Sequence, residues 1–143
     1  MKRAILGVFV MLCALGLLAP RAFADKITPS GPLKAYKGSE GEIVVMVEIT
    51  DGKEMLVYFK NTGGTAEGKT LRYLFEDLGK GDKTVYINVK RGSKTHREIL
   101  ASARDNTWEV YVPGKTSNTL KLTYSEDATA KIKLDEVLAA YKP

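Results

Sequence analysis

Cysteine is all but missing from this chain. The one thiol, Cys13, lies within an uncharged, almost wholly apolar run from Ala4 to Ala19. If that run is removed after synthesis, disulfides, thiol nucleophiles and cysteine metal sites are all excluded from what remains. Histidine is equally scarce, with His96 alone. A metal centre needs three or four converging ligands, and no second imidazole or thiol is there to join it. None of the four asparagines is followed two positions later by Ser or Thr, so the glycosylation acceptor is absent. The Gly-x4-Gly-Lys-Ser/Thr phosphate loop is absent too. Gly64 and Gly68 precede Lys69-Thr70, but three residues separate those glycines instead of four.

The apolar run itself is informative. Met1-Lys2-Arg3 supplies a positive start, the run follows, and Pro20-Arg21 ends it before Ala22-Phe23-Ala24. That is the three-part layout of a secretory signal with small residues at the cleavage site. A membrane-spanning helix needs roughly 20 apolar residues, which this run does not reach. A lipid-attachment site at Cys13 fits poorly, because the bulky Leu12 precedes it. The expectation is a signal peptide at 1–24, cleaved after Ala24, and a secreted or periplasmic product with no membrane span. An extended leader at 25–42 and a single β-rich domain at 43–143 follow.

Removal of Lys2, Arg3 and Arg21 changes the charge. The whole chain carries 22 basic residues against 17 acidic ones, a net +5. Cleavage leaves 19 against the same 17, a net +2. The basic balance is therefore largely a property of the leader, and overall charge gives no support for nucleic-acid binding.

Hydropathy alternates along most of the rest. Ile43, Val45, Val47 and Ile49 share one face of a strand, and Val44 and Met46 make the other face apolar as well. Such a strand is expected to be covered on both sides. Asp51-Gly52 favours the positive φ of a tight hairpin turn, with Met55–Lys60 as the return strand. Further strands are expected at Leu33–Lys37, Thr84–Lys90, Thr95–Ala103, Trp108–Val112 and Leu120–Tyr124, and a last short one at Ile132–Leu134. Between Thr70 and Gly79, Leu71, Leu74, Phe75 and Leu78 fit helical spacing, whereas Leu71, Tyr73 and Phe75 fit a strand. The helix is preferred there, and Asp135–Lys142 reads as a closing helix with its acids first. The expected fold is mainly β: an antiparallel β-sandwich of immunoglobulin-like size, with one short helix near 70–78 and a short C-terminal helix. The alternative is a small β-barrel closed by the C-terminal helix.

No catalytic constellation stands out. Ser93 or Ser102, His96 and Asp105 lack any nucleophile elbow around the serine. The carboxylate pairs Glu76-Asp77, Glu126-Asp127 and Asp135-Glu136 are sequence neighbours, whose side chains point apart. The expectation is a non-enzymatic chain without a cofactor. The feature with charge logic is a basic run: Lys80, Lys83, Lys90, Arg91, Lys94 and Arg97 against Asp82 give +5 over residues 80–97. If the flanking strands pair, Lys90, Arg91, Lys94 and Arg97 crowd one hairpin tip. That tip would suit an anionic envelope component or an acidic face of an envelope protein; lysines guarding a strand edge are the plainer reading. Trp108 is expected in the core, with Tyr86 and Tyr111 outside. These observations lead to an exported, non-catalytic β-domain serving as a binding or accessory module of the cell envelope. The alternatives are an apolar-ligand carrier with a barrel cavity and, less favoured, a hydrolase.

Overall fold

A computed structural model describes residues 27–76, 85–88, 98–102, 106–115 and 119–143, with the backbone alone at 76, 85–88 and 98–102. The chain is mainly β. Its strands are β1 (Lys34–Lys37), β2 (Ile43–Ile49), β3 (Glu54–Lys60), β4 (Thr70–Glu76), β5 (Val85–Asn88), β6 (Glu98–Ser102), β7 (Thr107–Val110) and β8 (Leu120–Tyr124). Two short helices follow, α1 (Glu126–Lys131) and α2 (Leu134–Ala139). Every strand pairs antiparallel with its neighbours in sequence, and β1 also pairs with β8 through Tyr36 opposite Tyr124 and Lys37 opposite Thr123.

The β2–β3 hairpin is the centre of the packing, as its two-sided hydrophobicity requires. Thr50, Asp51 and Gly52 all take positive φ in the connecting turn. On the inner face Val44, Met46, Met55, Val57 and Phe59 join Tyr36, Tyr73, Trp108, Val110 and Leu122. On the outer face Val45, Val47, Ile49, Leu56 and Tyr58 pack against Ala128, Ile132 and Val137 of the helical end, with Ile27 and Leu33 from the N-terminal side. Fully burying one such side chain stabilises by roughly 1.5–3 kcal/mol. A doubly covered hairpin therefore carries a large share of the core energy.

Two sequence expectations are corrected. Residues 70–76 form a strand, not the start of a helix over 70–78. Positions 54 to 58 of β3 pair with 70 to 74 of β4, and Leu71 and Tyr73 pack on the inner cluster. Pairing along five positions of β3 satisfies more backbone groups than two marginal helical turns, and isolated short helices are weak in water. The expected strand at Ile132–Leu134 is also absent. Ser125 caps α1, its Oγ accepting from the Ala128 amide at 3.3 Å. Ile132 ends α1 and Leu134 begins α2. Thr70 holds the end of α2, donating from its hydroxyl to the Val137 carbonyl at 2.6 Å and from its amide to Ala140 at 3.1 Å.

Candidate functional site

The basic residues singled out in the sequence, Lys90, Arg91, Lys94 and Arg97, lie outside the described residues, as does His96. The strands that flank them do pair, with Asn88 opposite Glu98. The basic connection thus leaves and re-enters the sheet at the end where β3 gives way to β4 and β7 to β8.

That same end of the curled sheet is covered by its own loop. Asn61, Gly63 and Gly64 take positive φ, which turns the chain back over the interior. The backbone amides of Asn61, Thr62 and Gly63 donate to the Glu67 carboxylate at 2.7–2.8 Å. Desolvation raises the Glu67 pKa, but these amides and the Thr62 hydroxyl outweigh it and hold the carboxyl below its ordinary value. Ala66 is thereby pressed into the inner cluster and Thr62 is buried. The Thr65 amide donates to the Pro113 carbonyl at 2.7 Å, tying the loop to the segment after β7. The role of this loop as a plug depends on that internal carboxylate.

The opposite end is finished differently. The inner-face positions there are Tyr36, Met46, Glu48, Met55, Phe75, Trp108 and Tyr124. Tyr36 and Trp108 are buried, whereas Phe75 and Tyr124 remain 44% and 42% exposed. The Tyr36 ring stands edge-on to both Trp108 and Tyr124, with centroids 6.1 Å and 5.9 Å away. The Trp108 indole N–H donates to the Tyr36 hydroxyl. Burial pushes the Tyr36 phenol above its ordinary value, and that hydrogen bond opposes the rise. The same end has a pocket of about 60 Å³ bounded by Pro32, Lys34, Tyr36, Met46, Glu48, Met55 and Trp108. Register explains the convergence. Met46 is opposite Lys34 and Val57, while Met55 is opposite Glu48 and Tyr73. The methionines are thus diagonal neighbours on one face, within reach of long side chains.

Trp108 is in the core and Tyr111 outside, as the alternation of β7 predicts. Tyr124 shares the inward parity of Leu120 and Leu122 but reaches the rim. Phe75 was hidden by the helical reading of its segment. A broader cleft of about 620 Å³ runs along the outer surface between Ile27–Ser30 and Ile49–Asp51, with Arg72 at its side. Arg72 is committed there: its guanidinium pairs with the Glu54 carboxylate and also meets Tyr141.

No protein-family model matches this chain, and no curated protein or solved structure is significantly similar to it. Among the described residues no group of three His, Cys, Asp or Glu side chains is placed to hold a metal. No helix among them is long and apolar enough to cross a membrane.

Proposed function

We propose that the chain is an exported, non-catalytic binding domain of the cell envelope, built as a closed eight-stranded barrel that meets its ligand at the aromatic end. The observation that carries this reading is the contrast between the two ends. One is stoppered by a loop with its own internal anchor, and the other keeps the rings of Phe75 and Tyr124 half-exposed and has a small pocket lined by Tyr36, Met46, Met55 and Trp108. Exposed large apolar groups gathered around a concavity are the usual mark of a contact site. The three-part leader at 1–24 supports export, and the β1–β8 pairing supports closure. The scarcity of histidine and thiol supports a role without catalysis. The apolar-carrier alternative draws less support, since carrier pockets run to roughly 300 Å³ or more and this one holds about 60 Å³.

A second reading places the contact on Lys90, Arg91, Lys94 and Arg97. It is favoured by the antiparallel pairing of β5 with β6, which gathers all four on one connection. One titration separates the two. Anionic lipid vesicles and solubilised cell-wall polysaccharide are added to the full chain while Trp108 emission and retention are followed. Loss of binding in Phe75→Ser/Tyr124→Ser supports the aromatic end. Loss only in Lys90→Ala/Arg91→Ala/Lys94→Ala supports the basic connection and overturns the first. N-terminal sequencing of the protein from the envelope fraction is expected to begin at Asp25; a start at Met1 overturns export by cleavage.

A further inference from the structure

We infer that the outer face of β4–β7, with Leu74, Ile87, Ile99 and Tyr111 in one row, is the face the chain lays on an anionic phospholipid surface. It lies apart from the aromatic end. It rests on the second reading above, which gives the basic connection an anionic partner, and adds the apolar surface beside that connection.

The outer face of the curled sheet divides in two. Over β1–β3 it is covered: Val45, Val47, Leu56 and Tyr58 pack against Ala128, Ile132 and Val137. The cover ends at Arg72, which stands opposite Leu56 and meets both Glu54 and Tyr141. Two residues on, Leu74 is 41% exposed. Register carries its row across the sheet, since Leu74 is opposite Ile87 and Ile87 is opposite Ile99. The expected parity of β5 is thereby reversed. Tyr86 is opposite Phe75 and Leu100, on the inner side, which leaves Val85 and Ile87 on the outer face. Leu100 is opposite Val110, so Tyr111, one residue on, continues the row beside Ile99. Tyr111 alternates with buried Val110 and Val112 and is 50% exposed. Among the described residues, the exposed large apolar side chains thus fall into two pairs: Leu74 and Tyr111 bracket two isoleucines, and Phe75 and Tyr124 belong to the aromatic end.

Area and charge choose the occupant. Four strands at about 4.8 Å spacing make the row about 14 Å wide. The next row is mixed: Glu76, Val85, Ala101, Glu109 and Lys121. A stable interface between copies takes about 800 Å² from each partner, far more than such a row supplies. A membrane surface needs no matching shape; it takes apolar side chains, tyrosine especially, at headgroup depth together with cations. The acids of the mixed row lie toward the aromatic end. On the other side, the nine residues from 89 to 97 join Asn88 to Glu98 and carry Lys90, Arg91, Lys94 and Arg97 with no acid. Lys90 is two residues past Asn88 and Arg97 one before Glu98. Chain reach alone keeps both within about 7 Å of the strand ends, inside one screening length at physiological salt, about 8 Å. A basic segment beside an apolar face is the pair of signals that gives reversible binding to anionic lipid.

The test uses the chain recovered from the envelope fraction, with each variant recovered the same way. Vesicles of phosphatidylcholine, alone or mixed with phosphatidylglycerol, are floated after mixing with it. Retention is expected on the mixed vesicles only, and falls as salt rises. Leu74→Ser/Tyr111→Ser is expected to weaken it about tenfold, with circular dichroism unchanged because both side chains are already exposed. In the unaltered chain, a nitroxide-labelled lipid is expected to broaden the Leu74 methyl and Tyr111 ring signals before those of Phe75 and Tyr124. That readout stands whether or not the variant folds. No retention on mixed vesicles, equal retention on neutral ones, or broadening first at Phe75 and Tyr124 overturns the inference. If Lys90→Ala/Arg91→Ala/Lys94→Ala loses binding and Leu74→Ser/Tyr111→Ser does not, the row falls and the basic connection stands. A dimer in solution that Leu74→Ser/Tyr111→Ser dissociates makes the row an interface between copies and overturns the lipid assignment.

Discussion

The two ends of the curled sheet solve the same problem with different chemistry. Where β3 meets β4, the loop of residues 61–69 turns back over the interior, drops Ala66 into the core and anchors itself on the Glu67 carboxylate. Where β2 meets β3, the turn at 50–53 is too short to cross the interior, and bulky side chains finish the core instead. Tyr36 and Trp108 seal most of it, and Phe75 and Tyr124 stand half in water. A polar plug satisfies its own backbone groups. An aromatic rim leaves apolar surface uncovered, which is a liability unless something binds there. On the proposed function the stable end and the contact end are separate, so stability and binding are expected to respond to different substitutions.

The strongest way to break this separation is to empty the core near the plug. Phe59 is fully buried among Val44, Val57 and Tyr73. Phe59→Ala is expected to lower unfolding free energy by about 3–5 kcal/mol, read from denaturant midpoints. A loss under about 1 kcal/mol would mean that the plugged end is not packed as described.

Gly64→Ala tests the plug itself. Gly64 has φ +76°, and a Cβ there would collide with the Pro113 carbonyl oxygen. A strained backbone of this kind costs on the order of 1–3 kcal/mol. The expected loss is about 2 kcal/mol, with binding at the aromatic end unchanged.

Glu67→Gln follows with a smaller effect. Gln keeps the shape but loses the charge that strengthens three amide bonds, and Glu67 is exposed, so the loss is expected near about 1 kcal/mol. The pH dependence fixes its sign. The folded pKa of Glu67 lies below its unfolded value. The stabilisation is therefore fully present above the ordinary carboxylate range, about pH 4.3, and is lost as pH falls through the lower folded value. The difference in Tm between wild type and Glu67→Gln should be constant from pH 6 to 8 and narrow below about pH 4. A difference that widens in acid would contradict the amide anchor.

Much of the sheet was legible in the sequence, and particular residues show why the remainder was not. Ile43–Ile49, Asp51-Gly52 and Trp108–Val110 carry period-two patterns and a turn dipeptide whose meaning is local. Thr70–Glu76 fits both periods, because Leu71, Phe75 and their neighbours suit either geometry. Only the backbone of β3 decides between them, and no local rule contains it. Ser125 followed by Glu126-Asp127, with Lys131 at the far end, is a readable helix signal that the expected fold does not include. The candidate site was the least legible. Met46, Met55 and Trp108 are visible as rare residues, but their meeting depends on strand register and on β7 reaching across the interior.

The smallest expected change in stability comes from the aromatic rim, and it bears hardest on function. Tyr124 is 42% exposed and stands edge-on to Tyr36. Such a contact contributes about 0.5–1.5 kcal/mol when buried, and less where water already reaches the ring. Tyr124→Ser is therefore expected to lower unfolding free energy by under about 1 kcal/mol while weakening whatever binding the open end has. Measured side by side, Gly64→Ala and Tyr124→Ser should show opposite profiles, one losing stability and keeping binding, the other the reverse. If both variants lose the two properties in proportion, the ends are energetically coupled through the inner cluster, and the division of labour between them does not hold.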